Sequence, residues 1–348
     1  MNSIVATRST QWTPESLFNA LQHIKLGGTT CLYTIEQCQR LVPLINEINR
    51  LKKEKNAVIL AHSYVSPDII YGVADFVGDS YELSKKAMSM DCETIVFSAV
   101  RFMAETTKIL NPDKTVVIPG EMNGCSLADS ITEVDVQQLR QQYPDYSFVC
   151  YINTTAAVKA ECDVCVTSSN VYRIIEAIPN DKIYFLPDQL MGKNVINELH
   201  KKGISKEIKL WAGTCYVHEA YDPEMIDYIK AQYNDVQVVS HPECNESILE
   251  KSDFVGSTSQ MINYVKTSSA PSYFMLTECG LTSRLQLEDP SKKFVGTCSM
   301  CKYMKDNTLY NIKEALRSPK PELIVEIDDD VRKRAVTCID EMFRYCEK

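Results

Sequence analysis

The chain is predicted to be an α/β protein of three similar αβα sandwich domains, with parallel sheets arranged about a pseudo-threefold axis. The first observation behind this is a long repeat in which the polar tip of a short strand precedes a glycine-associated cysteine by about sixty residues. His62 precedes Cys125 by 63 residues, Asn153 precedes Cys215 by 62, and His241 precedes Cys301 by 60. Tips recur after 91 and 88 residues, and cysteines after 90 and 86. The second observation is that strands alternate with helices between these landmarks, the pattern of parallel sheets with right-handed crossovers. One cysteine per repeat suggests a metal centre on the axis.

Residues 1–50 read as a helical extension. Thr13-Pro14-Glu15 supplies an N-cap with Pro at the first helical position, opening a helix to about Lys25 that Gly27-Gly28 breaks. A second helix is expected from Thr34 to Lys55, its apolar residues at helical spacing and Pro43 inside it. Residues 51–140 form the first repeat, which the C-terminal segment 302–348 is expected to join. Its strands are Ala57–Ala61, Thr94–Phe97 and Thr115–Ile118, and Gly78-Asp79-Ser80 with the helix after it reads as an insertion peculiar to this copy. The second repeat, 141–230, has strands Phe148–Ile152, Asp163–Val166 and Ile183–Leu186, and closes with Trp211 to His218. The third, 231–301, has strands Val236–Val239, Asp253–Val255 and Tyr273–Leu276 and closes on Cys298-Ser-Met-Cys301. On this reading the second strand tip follows the first by 36, 15 and 16 residues, so only the overall period is regular. Residues 302–348 should give a helix, a strand at Glu322–Ile327 and a final helix.

The bulk properties narrow the function. At 348 residues with 45% hydrophobic and 24% charged side chains, the chain is long enough for sizeable cores. A net charge of -9 argues against a nucleic-acid partner. No apolar run reaches the ~18 residues of a membrane span. The stretch Met1–Arg8 is too weakly apolar for a secretory signal, so a cytoplasmic location is expected. Fourteen cysteines in such a chain point to metal or redox chemistry rather than a disulfide framework. Cys31, Cys38, Cys92, Cys150, Cys338 and Cys346 sit among apolar residues and read as buried hydrophobes. Cys162 and Cys165 look like half a zinc site, but strand residues three apart point to opposite faces, which favours a structural role.

Ligand sites in such folds lie beyond the carboxyl ends of the strands. Those ends carry His62, Tyr64, Tyr151, Asn153, His241 and Glu243, with His218 beside a repeat cysteine. Three of the five histidines stand in such places, which favours function over simple hydrogen bonding. Ser168, Ser257 and Thr258 lie between a strand and a helix, where exposed N–H groups bind anions. No dinucleotide or P-loop fingerprint is present. Three thiolates do not complete a closed zinc site; they suit a catalytic zinc or a [4Fe–4S] cluster with one open iron.

From Asn56 to Leu316 the chain resembles the quinolinate synthase family. The matching motifs include Ala-His62-x-Tyr64, Gly-Asp-Ser80, Arg101-Phe-Met-Ala-Glu-Thr, Gly-Cys125-Ser-Leu-Ala-Asp and Tyr151-x-Asn153-Thr. Others are Val-Thr-Ser-Ser169-Asn, Gly-x-Cys215-x-Val-His218, His241-Pro-Glu243-Cys, Gly256-Ser-Thr-Ser-Gln and Cys301-x-x-Met304. The resemblance implies a [4Fe–4S] cluster held by Cys125, Cys215 and Cys301. It implies condensation of iminoaspartate with dihydroxyacetone phosphate to quinolinate for NAD biosynthesis, with an L-aspartate oxidase as the source of iminoaspartate. Glu243 and Tyr64, assisted by His62, His218 and His241, would move protons. Tyr151, Asn153, Ser80, Ser168, Ser257 and Thr258, with His62, His241 and Glu243, would bind the substrates. Gly-Thr-Cys298 aligns locally with Gly-Thr-Cys215, so the repeat alone favours Cys298 as third ligand, whereas the family pattern selects Cys301. Cys298 is then expected to be a spare thiol able to pair with Cys301. The alternatives are another [4Fe–4S] dehydratase, an iron–sulfur sensor or electron carrier, and a zinc hydrolase.

Overall fold

The computed structural model describes residues 11–26 and 30–347. The extension opens with α1 (Pro14–Leu21), whose Thr13 side chain accepts from Ser16 N–H in a capping box. The helix ends at Leu21 rather than near Lys25, because Lys25–Leu26 (β1) pairs antiparallel with Thr30–Cys31 (β2). The Gly27-Gly28 break lies outside the described residues. Helix α2 (Ile35–Glu54) is capped by Thr34, contains Pro43, and buries Cys38, Val42, Ile45, Ile48 and Leu51. It packs on α1 and on the first sheet, so the extension covers the first repeat.

Three four-stranded parallel sheets follow, and they share one topology. The first contains β3 (Ala57–His62), α3 (Pro67–Gly72), β4 (Phe76–Gly78), α4 (Ser80–Ala87), β5 (Thr94–Ser98), α5 (Arg101–Leu110) and β6 (Thr115–Val117). Helix α6 (Glu133–Gln142) leads to the second: β7 (Ser147–Tyr151), α7 (Ala156–Ala160), β8 (Val164–Val166), α8 (Val171–Ala177), β9 (Lys182–Leu186), α9 (Gln189–Lys201) and β10 (Glu207–Leu210). After α10 (Tyr216–Glu219) and α11 (Pro223–Gln232) comes the third: β11 (Val236–Ser240), α12 (Glu246–Lys251), β12 (Phe254–Val255), α13 (Thr258–Thr267), β13 (Ser272–Leu276), α14 (Cys279–Glu288) and β14 (Lys293–Phe294). The strand orders β4-β3-β5-β6, β8-β7-β9-β10 and β12-β11-β13-β14 are each second-first-third-fourth. The central strands are buried on both faces, which is why Ile59-Leu60-Ala61 and Phe148-Val149-Cys150 read as apolar runs without alternation.

This topology corrects the repeat alignment. Gly78-Asp79-Ser80 is not an insertion: β4 is the second strand of the first sheet, equivalent to β8 and β12. Ser80, Ser168 and Ser257 therefore occupy matching places, 18, 15 and 16 residues after His62, Asn153 and His241. The edge strands β4, β10 and β14, of three, four and two residues, escaped sequence reading.

Helix α15 (Lys302–Lys305) precedes the C-terminal segment, which divides between two repeats. Helix α16 (Leu309–Arg317) packs on α2 and β5 of the first, whereas α17 (Asp329–Glu347) lies against α7 and β8 of the second and also touches α5. The expected strand at Glu322–Ile327 is a short turn and one antiparallel bridge from Ile324 to Val117, at the edge of β6. Docking of α17 also completes a buried thiol group. Strand β8 starts at Val164, so Cys162 lies in the turn before it, and the opposite-face argument does not apply. Both Cys162 and Cys165 reach Cys150, and Cys338 Sγ on α17 is 3.6 Å from Cys150 Sγ. No helix among the described residues is long and apolar enough to cross a membrane.

Candidate active site

Because the sheets are parallel, their carboxyl ends can point at a common space, and they do. One cavity is lined from all three repeats. Its walls include His62, Tyr64 and Ser80 from the first, Tyr151, Asn153, Ser168 and His218 from the second, and His241, Glu243 and Thr258 from the third. Cys125, Cys215 and Cys301 open into it as well. Ser257 does not line it; that hydroxyl is buried and accepts from Gln260 N–H as the cap of α13. Ser168 stands in a turn ahead of α8, whose N-cap is Asn170.

The two tip histidines adopt the same turn. Tyr64 N–H donates to His62 Nδ1 at 3.2 Å, and Glu243 N–H donates to His241 Nδ1 at 3.3 Å. Each ring thus keeps its proton on Nε2. Burial pushes both down to about 3, aided at His62 by the Arg284 charge and opposed at His241 by Glu243, so both are neutral donors at pH 7.

Between them runs one hydrogen-bonded network. Tyr151 OH donates to Glu243 Oε1 at 2.5 Å, and His218 Nδ1 lies 2.9 Å from Glu243 Oε2. His218 Nε2 lies 3.1 Å from Thr277 Oγ1, which lies 2.8 Å from Tyr64 OH, itself 2.9 Å from Thr258 Oγ1. His241 stacks on His218 with centroids 4.6 Å apart. Burial opposes ionisation of Glu243, but attraction to the histidines and the hydrogen bonds from His218 and Tyr151 outweigh it, and the carboxyl is held well below the usual range. Burial pushes the Tyr64 and Tyr151 phenols well up, so they remain donors. An ionised carboxylate, two protonated phenols and neutral imidazoles together suit proton transfer.

The three cysteine loops repeat one local geometry. Cys125, Cys215 and Cys301 each stand just before a short helical turn, and each thiol is hydrogen-bonded by the N–H groups two and three residues on. Those groups are Leu127 and Ala128, Val217 and His218, and Tyr303 and Met304. Burial pushes the Cys125 thiol up to about 12 and raises Cys215 and Cys301, so as free thiols they are protonated, while the N–H groups favour the thiolate that a metal would bind. The loops also hold one another. Ser126 Oγ donates to Thr214 O at 3.1 Å, and Lys302 N–H donates to Tyr216 OH at 2.7 Å.

Cys298 is not spare. It forms a disulfide with Cys279, not with Cys301. Gly296, at φ +83°, turns the loop in a conformation only glycine holds easily, and a Cβ there would sit 2.4 Å from the Phe274 ring. Ser299 then runs beside Glu278, with Cys279 N–H donating to Ser299 O at 3.0 Å, which brings Cys298 to Cys279. No sequence signal marked Cys279, nineteen residues from its partner.

Sequence reading also passed over a pair that supports Cys301. Glu278, fully buried, accepts from Cys301 N–H at 3.2 Å and from Lys305 Nζ at 2.9 Å through Oε1, and from Gly280 N–H at 2.6 Å through Oε2. Lys305 Nζ also donates to Tyr64 O at 2.6 Å, tying the third cysteine loop to the first strand tip. Lys305→Met should therefore strand a buried carboxylate. The expected cost is about 2–3 kcal/mol, below the buried-pair range because the Lys305 side chain is 26% exposed. Urea unfolding checks this, and the double variant Lys305→Met/Glu278→Gln should recover most of the loss. A single variant as stable as wild type would remove the pair from the account.

Residues 46–344 match the family described as Quinolinate synthetase A protein. The chain is 44% identical over 304 residues to a quinolinate synthase of Caulobacter vibrioides, covering 86% of this chain and 81% of that one. A quinolinate synthase of Sinorhizobium fredii is 43% identical over 300 residues, 86% of this chain and 82% of its own. One from Xylella fastidiosa is 43% identical over 282 residues, 81% of this chain and 82% of its own.

Proposed function

Because the chain belongs to the quinolinate synthetase A family, whose members serve quinolinate synthesis for NAD, we propose that it condenses iminoaspartate with dihydroxyacetone phosphate. The products are quinolinate, phosphate and two waters, and an L-aspartate oxidase is the expected source of iminoaspartate. One observation carries the reading: three thiols from equivalent loops, each with two N–H groups directed at it, open into the cavity that holds Glu243 and its network. Cys125, Cys215 and Cys301 would hold a [4Fe–4S] cluster, and their donor set of three thiols from equivalent loops fits it. Once bound, the cluster supplies an open iron that acts as a Lewis acid.

The protein's own residues do the rest. Ionised Glu243 takes protons from substrate carbon or nitrogen, and His218 connects it through Thr277 to the Tyr64 phenol, which returns protons to departing oxygens. Neutral His62 and His241 each offer one Nε2–H to a substrate oxygen. Tyr151, Asn153, Ser80, Ser168 and Thr258 at the start of α13 hold carboxylates and phosphate, the last with the positive end of a ten-residue helix. Such anion sites reconcile two acidic substrates with a protein of net charge -9.

Anaerobic purification with iron and sulfide counts tests this. Wild type should carry about four irons and form quinolinate from the two substrates. Cys301→Ala should lose the cluster, whereas Cys298→Ser should keep it, since that thiol is tied to Cys279. A colourless, iron-free wild type after reconstitution would end the proposal.

A further inference from the structure

We infer that Cys215, His218 and Glu243 form a binding site for a single divalent transition-metal ion in the cluster-free protein. The three side chains offer one thiolate, one imidazole nitrogen and one carboxylate oxygen, all within 4.8 Å of one another. Among the described residues no other three histidine, cysteine or acidic side chains come together in this way. His218 Nδ1 is 3.3 Å from Cys215 Sγ and 2.9 Å from Glu243 Oε2. Tetrahedral bonds of about 2.0–2.3 Å place donors about 3.3–3.6 Å apart, so both separations from His218 are within a few tenths of an ångström of what an ion requires.

The surroundings of each donor match what metal ligands need. With an ion on His218 Nδ1 the ring's N–H moves to Nε2, which faces Thr277 Oγ1 at 3.1 Å and can donate there. Tyr151 OH holds the other Glu243 oxygen at 2.5 Å. Val217 and His218 N–H groups support the Cys215 sulfur. The fourth position faces the cavity, which all three residues line.

The pseudo-symmetry shows why only this loop qualifies. Cys215-x-x-His218 puts sulfur and nitrogen on one turn of α10, whereas the residues three after Cys125 and Cys301 are Ala128 and Met304. A mixed sulfur, nitrogen and oxygen set selects Zn2+, Co2+ or Fe2+ over Mg2+ or Ca2+. The ion takes the place of the proton between His218 Nδ1 and Glu243, and it occupies Cys215. It therefore excludes a cluster bound through that sulfur and takes His218 and Glu243 out of the proton network. Only this competition rests on the proposed function.

The test is Co2+ titration of the full chain, stripped of iron with chelator under conditions that keep the Cys279–Cys298 disulfide. One equivalent should bind, with a thiolate-to-cobalt charge-transfer band and the visible bands of a tetrahedral ion. Zn2+ should displace it and Mg2+ should not. Cys215→Ala should abolish the charge-transfer band, while Cys125→Ala and Cys301→Ala keep it. Thr277→Val, which leaves every donor in place, should weaken binding about tenfold. Absence of the band in wild type overturns the inference, as does a band that survives Cys215→Ala or disappears in Cys125→Ala. Should Cys215→Ala fail to fold by circular dichroism, Glu243→Gln replaces it, and unchanged cobalt affinity there overturns the site. Iron and sulfide counts after reconstitution report on the proposed function separately, since no cobalt arm uses them.

Discussion

Glu243→Gln is expected to lower kcat for quinolinate formation by about 10²–10⁴-fold, the usual contribution of a positioned general base. The substitution keeps size and shape but removes the carboxylate that hydrogen-bonds both Tyr151 and His218. Glutamine still fills the space, so the cysteine loops, held by Asp129 and Glu278, should keep their places. Iron content should therefore stay at the wild-type level while turnover collapses. KM should move much less than kcat, because the lost interaction is one the transition state needs. A fall smaller than about tenfold would take the base role away from Glu243. A fall accompanied by loss of iron would make it a structural support instead.

The second large effect concerns pH. His62 is buried, its Nδ1 accepts the Tyr64 amide, and its ring faces Arg284, His241, Lys305 and Glu243. Burial, then the Arg284 charge, lowers it from 6.5 to about 3. The unfolded chain therefore binds a proton between those pH values that the folded protein refuses. Stability rises with pH across that window: the contribution is complete above about 6.5 and is lost as pH falls toward about 3. The shift corresponds to roughly 4–5 kcal/mol over the full range. Urea midpoints measured from neutral pH downward should fall steeply, and His62→Gln should flatten that slope. Equal slopes in the two proteins would mean that His62 is solvated and charged in the fold.

Much of this was legible in the chain. The spacing of His62, Asn153 and His241 against Cys125, Cys215 and Cys301 follows from three copies of one strand order, so the period survived reading. The capping residue Thr13 announced its helix because a cap needs only local hydrogen bonds. Where pairing supplied the order, reading failed. Strand β4 has three residues and exists because β3 lies beside it, so Gly78-Asp79-Ser80 was mistaken for an insertion.

Side-chain partners were the least legible, and the reason is distance along the chain. Glu278 meets Lys305 and Cys301 only because β13 and the loop after β14 end side by side. The same adjacency decided that Cys298 pairs with Cys279. Helix α17 went to the second repeat, where α7, β8 and Cys150 complete its apolar face, although its neighbour α16 stayed with the first. By itself the sequence determined the α/β repeat, the strand-tip residues and Cys125 and Cys215, because each is written in local pattern and period, while Cys301 was chosen over Cys298 only by family resemblance. The tertiary structure decided which of those side chains touch, what holds them and which are charged, because contact and burial exist only once the three sheets face one another.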